Sequence, residues 1–194
     1  MYVRMATADD AAAMLAIYGP VVESTAISFE VEVPSIEEMA ARITKRQPAY
    51  PWLVGEAGDR VTGYAYAGPF SGRAAYDWSV ETSVYVAEDW RGRGVGRALY
   101  RALFELLGLQ GFRRAMAGVT LPNPASVALH EGAGFTPVGV YRSVGWKFGD
   151  WHDVGWWQRG IGAAEGRPTP PRPLTEVPAG TLEAALARGH LPAA

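Results

Sequence analysis

The chain has 194 residues, 48% hydrophobic, 20% charged and 11% aromatic, the make-up of one globular domain with a sizeable core rather than of two ordinary domains. A net charge of −2 provides no global field for nucleic acid or an anionic membrane. No apolar run of about 18 residues and no basic-then-apolar leader is present, so neither a membrane span nor export is expected and the cytoplasm is the expected site.

Tyr2–Met5 reads as a first strand. Thr7 with Asp10 three later resembles a capping box, and Met14, Leu15, Ile17, Tyr18 and Val21 carry helical spacing that Gly19-Pro20 should disturb. Ser35 with Glu38 caps a second helix bearing Ile36, Met39, Ala40 and Ile43. Trp52–Ala57 and Val61–Ala67 flank Gly58-Asp59 as a hairpin. Trp78–Val86 is the next strand. Alternation along it puts Val80, Thr82, Val84 and Val86 on one face and Glu81, Ser83 and Tyr85 on the other. A glycine-rich turn leads into a helix from about Gly94 to Leu109, and Phe112–Val119 forms another strand.

Asn123-Pro124 opens a short helix, since Asn is a strong N-cap and Pro suits the first helical position; it should end near Gly132–Gly134. Phe135–Trp146 and Trp151–Trp157 predict a last hairpin around Gly149-Asp150. Residues 1–162 make the domain. Residues 163–194 form a proline-rich tail, expected to be extended and poorly packed, with one or two helical turns at Thr181–Arg188. The order β-α-α-β-β-β-α-β-α-β-β indicates an α/β fold with helices flanking a mixed central sheet.

The turn at Arg91-Gly92-Arg93-Gly94-Val95-Gly96-Arg97 is the most informative segment. Its glycines leave backbone N–H groups uncrowded where a helix dipole begins, and Arg91, Arg93 and Arg97 add charge at the rim, so a phosphate-bearing ligand is expected. Glycines also serve ordinary tight turns. The spacing is neither the dinucleotide G-x-G-x-x-G nor the P-loop, because no Lys-Ser/Thr follows. Cysteine is absent, which excludes disulfides, thiolate metal sites and a cysteine acyl-enzyme. His130, His152 and His190 are scattered, so no metal is expected.

Arg91-x-x-Gly94-x-Gly96 between strand and helix resembles the acetyl-coenzyme A signature of the GNAT N-acetyltransferase superfamily. The stretches Tyr50-Pro51-Trp52-Leu53-Val54, Ala65-Tyr66-Ala67-Gly68-Pro69-Phe70, Tyr76-Asp77-Trp78-Ser79-Val80-Glu81, Leu121-Pro122-Asn123, Leu129-His130-Glu131 and Trp151–Arg159 are similar to the phosphinothricin N-acetyltransferase family. The likeness covers about residues 2–160. It implies acetyl-CoA as cosubstrate, a small-molecule amine acceptor and a homodimer meeting near the C-terminal strands, with no part for nucleic acid, membrane or metal. A protein N-terminus as acceptor and a non-catalytic acyl-CoA sensor are the alternative readings.

The resemblance also implies roles. The backbone of Val84, Tyr85 and Val86 would pair with pantetheine. Arg91, Gly92, Arg93, Gly94, Val95, Gly96 and Arg97 would hold the pyrophosphate, with Asn123 and Ser126 beside the arm. A carboxylate such as Glu81 on a strand either faces water, pairs with an arginine or acts as a base; the resemblance assigns it the base. His130 occupies the slot of a general acid for the leaving thiolate, its other reading being a helix-end histidine. Phe29 would wall the acceptor pocket, or else pack in the core. Arg73 and Tyr76 would bind the acceptor's polar end. Similar enzymes carry lysine two residues before that arginine, and this chain has Ser71, which turns the expectation toward less charged acceptors such as methionine sulfone or sulfoximine.

Overall fold

The computed structural model describes residues 1–162 and 166–192. The strands are β1 (Tyr2–Met5), β2 (Trp52–Ala57), β3 (Arg60–Pro69), β4 (Ser79–Val86), β5 (Arg114–Leu121), β6 (Thr136–Lys147) and β7 (Asp150–Gly160). They form one sheet in the order β1-β2-β3-β4-β5-β7-β6. Each neighbouring pair is antiparallel except β4 and β5, which are parallel because the crossover helix α3 (Val95–Gln110) joins them. Helices α1 (Ala11–Ser24) and α2 (Ile36–Arg46) cover one face, packing Met14, Tyr18, Val22, Met39 and Ile43 on Tyr64 and Trp52. Helix α3 covers the other with Leu99, Leu103, Leu106 and Leu107 against Val80, Ala65 and Ala115. Helix α4 (Pro124–Gly132) lies beside α3 and β5.

Local chemistry explains most of these elements. Ser35 and Glu38 form the reciprocal capping box that starts α2, with Ser35 Oγ accepting from Glu38 N and Glu38 Oε2 from Ser35 N. Ahead of α1, Asp10 Oδ2 accepts from Thr7 N and from the Thr7 hydroxyl while Asp10 N bonds Thr7 O, and Asn123 Oδ1 caps α4 by accepting from Ser126 N. Helix α1 differs from expectation. It runs through Gly19-Pro20 to Ser24, because Val21 and Val22 just beyond the proline are buried and their packing outweighs one lost backbone hydrogen bond. The strand expected at Phe112–Val119 lies two residues later, since Gly111 ends α3 at φ 98° and Phe112 N closes that turn on Leu107 O.

The C-terminal segment corrects the expectation of poor packing, apart from residues 163–165 and 193–194, which lie outside the described residues. Its proline run is extended but bonded: Trp78 Nε1 donates to Thr169 O, and Gln110 and Arg172 exchange backbone and side-chain bonds. Leu174 and Val177 are buried, and a helix α5 (Ala179–Ala187) sets Ala185 and Leu186 against α3 and β1. Leu191 N then bonds Met1 O. Composition concealed this because the buried residues are few and spaced among prolines.

Gly189, after α5, sits so close to α3 that an added Cβ would lie 2.7 Å from Ala98 O and 2.8 Å from Val3 Cγ2. Gly189→Val should therefore cost about 1–3 kcal/mol by overpacking, a fall in Tm of roughly 2–10 °C by differential scanning fluorimetry; an unchanged Tm would mean that the segment is not seated there.

Candidate functional site

The site begins where two strands part. Strands β4 and β5 pair only at Ser79 with Arg114, Val80 with Ala115 and Glu81 with Met116. From Thr82 to Val86 the edge of β4 has no β5 partner, while its other edge stays paired to β3, Val84 opposite Ala65 and Val86 opposite Gly63. Unpaired N–H and C=O groups on such an edge suit an extended ligand carrying amides of its own. Gly63 makes this possible from behind, because a Cβ there would meet Tyr85 O at 2.8 Å.

At the end of that edge is the glycine turn. Gly92 and Gly94 have φ of 74° and 82°, and a Cβ built on either meets nothing within 4 Å, so the space above them is open. Ala98 N is the first amide of α3 bonded back to the turn, to Gly94 O at 3.0 Å, which leaves the amides of Val95, Gly96 and Arg97 as open donors at the positive end of the helix. Gly96 allows α4 to close on α3, since a Cβ there would lie 3.0 Å from Leu129 Cδ2. Arg91, Arg93 and Arg97 are exposed around this concavity, Arg93 stacked on Trp90 and Arg97 lying over Gly132. The arrangement fits a pyrophosphate.

On the other face of the sheet lies a cavity of about 520 Å³ lined by Glu30, Arg42, Arg46, Trp52, Tyr66 and Glu81, among others. Glu81 comes from the last paired residue before the strands part. Its carboxylate has no hydrogen-bond or ion-pair partner among the described residues, and burial pushes its pKa above the ordinary glutamate value. Glu30 and Arg42 neutralise each other through two bonds of 2.7 and 3.1 Å. Burial also raises the Tyr66 phenol, so that it stays a neutral donor.

Behind β4, on the α3 side, His130 is buried and fully bonded. Its Nδ1 donates to Ser126 O at 2.7 Å and its Nε2 shares a hydrogen bond with the Tyr100 hydroxyl at 2.8 Å. Burial lowers its pKa, which favours the neutral ring. The structure places the residue expected to serve the thiolate with Nδ1 beside Ser126 O and Nε2 beside the Tyr100 hydroxyl, both within the fold.

The loop between α1 and α2 is seated by a buried cation. Lys147 Nζ donates to Val22 O in the last turn of α1 at 2.7 Å and to Ser28 O at 2.8 Å, and the residue is 5% exposed. A cation at a helix C-terminus is favourable, and here it also ties down the chain that carries Phe29 and Glu30. Phe29 packs on Gly145 of β6, where a Cβ would come within 2.2 Å of its ring.

The structure thus gathers Glu81, the Val84–Val86 edge, the glycine turn and α4 with Asn123 and Ser126 around the parting strands. It does not bring Arg73 and Tyr76 into the cavity. Both are exposed on the connection before β4, where Tyr76 packs edge-on against Phe70. Phe29 is 39% exposed and its neighbour Glu30 lines the cavity instead. The sequence reading missed Arg42, Arg46, Trp52 and Lys147. Met39, Arg42 and Arg46 share one face of α2 at spacings of three and four, a mixed apolar and basic stripe that was the available signal.

A sheet opened beside a phosphate cradle, with an unpaired carboxylate across the gap, describes a transferase drawing its acyl group from a nucleotide thioester. The chain belongs to the GNAT acetyltransferase family: the acetyltransferase (GNAT) domain model matches residues 3–156. It is 42% identical over 175 residues to the phosphinothricin N-acetyltransferase of Streptomyces viridochromogenes, spanning 90% of this chain and 93% of that one. It is 36% identical over 168 residues to the L-methionine sulfoximine/L-methionine sulfone acetyltransferase of Pseudomonas aeruginosa, spanning 86% and 98%. The crystal structure of a GNAT superfamily phosphinothricin acetyltransferase from Sinorhizobium meliloti, in complex with AcCoA, superposes with a TM-score of 0.82 at 35% identity, covering 86% of this chain and 92% of that one. The chain is an acetyl-CoA-dependent N-acetyltransferase, and its open cradle and β4 edge fit that cosubstrate. No helix among the described residues is long and apolar enough to cross a membrane, and they include no metal-binding cluster.

Removing the Lys147 charge should loosen the acceptor side selectively. Lys147→Met is expected to raise the KM for the amine about tenfold while leaving that for acetyl-CoA within about twofold, given the weight of hydrogen bonds to a charged donor. Steady-state thiol-release kinetics would show it, and a parallel rise in both KM values would refute it.

Proposed function

We propose that the acceptor is the α-amino group of a small amino-acid analogue of the phosphinothricin, methionine sulfone or methionine sulfoximine type, and that Glu81 is the general base. The carrying observation is Glu81 itself: an unpaired carboxylate on the cavity wall, with its pKa raised by burial, where β4 and β5 part. The named acceptors of two relatives support the class.

Bound acetyl-CoA supplies an acyl carbon already activated as a thioester. Val95–Arg97 amides and the surrounding arginines hold its pyrophosphate, and the Val84–Val86 edge aligns its pantetheine, with Asn123 and Ser126 beside the arm. Glu81 takes a proton from the acceptor ammonium, freeing the nitrogen lone pair for direct attack on the thioester carbon; the C–S bond breaks, coenzyme A departs as the thiolate, and the second amine proton passes to that thiolate or to solvent. Without cysteine the chain has no thiol to carry the acetyl group between the two substrates. His130 is a positioning residue: it orients the Tyr100 hydroxyl behind β4 and ties α4 to α3.

A homodimer is part of the proposal. Tyr141, Val144, Trp146 and Trp151 on the β6–β7 arm and Phe148 at its turn are each more than half exposed, an apolar surface large enough to call for a partner. The use of acetyl-CoA as donor is in keeping with a cytoplasmic enzyme.

Glu81→Gln should cut kcat by about 10²–10⁴ while acetyl-CoA affinity, read by isothermal titration, stays unchanged. The acid limb of wild-type kcat/KM should lie above the ordinary glutamate range and vanish in the variant. Because the folded-state pKa is raised, Glu81 costs stability once pH rises through it, so the variant should melt higher than wild type at neutral pH and not at low pH. Retention of the limb in Glu81→Gln would remove this residue from the role.

Light scattering should give twice the chain mass for wild type. The double variant Tyr141→Glu/Trp146→Glu should give the single mass with its circular dichroism intact; a monomeric wild type would end the dimer reading.

A further inference from the structure

We propose that Arg46 and the indole N–H of Trp52 form an anion subsite that binds the α-carboxylate of the acceptor and so restricts acceptors to free α-amino acids. The inference rests on the acceptor class given under Proposed function and names the groups that read it.

The charges around the cavity leave Arg46 as the available cation. Arg42 is committed to Glu30 by a two-bond pair, whereas Arg46 has no hydrogen-bond or ion-pair partner among the described residues. Its position is specific. The guanidinium Nη1 lies 3.1 Å from where a Cβ of Gly68 would stand, and Gly68 is directly opposite Glu81 in the β3–β4 register. Any side chain at position 68 would displace it. Residues opposite each other in an antiparallel pair are about 5 Å apart, a spacing that the amine and carboxylate of one α-amino acid can bridge.

The second observation is an orphan donor on a residue that lines the same cavity. Trp52 is 3% exposed, and its Nε1 is buried without an acceptor among the described residues. Its ring is fixed by stacking on Tyr66 at 4.2 Å and 14°. A buried N–H left unpaired is unfavourable and calls for an acceptor from outside the chain. A guanidinium and an indole N–H are donors without acceptor capacity, and a carboxylate has acceptors only, so the complementarity is chemical as well as electrostatic. A peptide N-terminus, whose first carboxyl is an amide carrying an N–H of its own, satisfies this pair less well.

The test compares L-methionine sulfone with its primary carboxamide, each assayed by thiol release with wild type, Arg46→Gln, Arg46→Lys and Trp52→Phe. Wild type should favour the acid over the amide at least about tenfold in kcat/KM. Arg46→Gln should erase that preference by raising the KM for the acid, with the amide and acetyl-CoA constants unchanged. Arg46→Lys should restore part of it, and Trp52→Phe, which keeps the stack, should show a smaller rise confined to the acid. Equal losses on acid and amide in Arg46→Gln, or no loss on either, would overturn the subsite. Equal wild-type efficiency on both compounds would overturn the subsite while leaving the acceptor class standing, whereas acetylation of neither would fell the acceptor class and this inference with it.

Discussion

Strands β4 and β5 hold together over three residue pairs and then separate, and the rest of the site follows from that separation. A continuous ladder would consume the β4 edge and seal one face of the sheet from the other. The parted strands instead leave polar backbone available along Thr82–Val86 and connect two faces with different tasks. The α3 side offers the phosphate cradle, while the α1–α2 side offers the cavity with Glu81. The residue that marks the limit of pairing is also the proposed base, so the same local event positions the donor's route and the group that prepares the acceptor.

Burial then divides the titratable groups between roles. Glu81 is desolvated without a counter-charge, which raises its proton affinity; Glu30 is instead paired with Arg42. His130 is desolvated and fully hydrogen-bonded, which suits it to hold Tyr100 and α4 in place. Lys147 keeps a charge in the interior by facing the negative end of α1 and a loop carbonyl together. In each case the neighbours, more than the residue type, decide what the group is able to do.

Much of this was legible in the sequence because the signals are local. The alternation in Val80–Val86, the capping residues Thr7, Ser35 and Asn123, and the spacing of Gly92, Gly94 and Gly96 act within a few residues of themselves, and the corresponding elements form where those signals fall. What was hidden depends on partners far along the chain. Pro20 reads as a helix break until Val21 and Val22 are seen to be buried, and Leu174, Val177 and Leu186 look like stray apolar residues until α3 and β1 receive them. The cavity was the least legible part. Arg42 and Arg46 offered only the mixed apolar and basic stripe of α2, and nothing near position 147 signals that its ammonium binds carbonyls more than a hundred residues earlier.

The two lysines differ in a way that has a practical use. Lys147 is locked inside the fold, while Lys45 is exposed on α2 beside Arg46. An amine-reactive fluorophore applied to the native protein would therefore find its side-chain target at Lys45, on the exposed face of α2, and leave the interior ammonium untouched. Arginine-rich composition thus yields a chain that can be tagged at one helix position without any engineered residue.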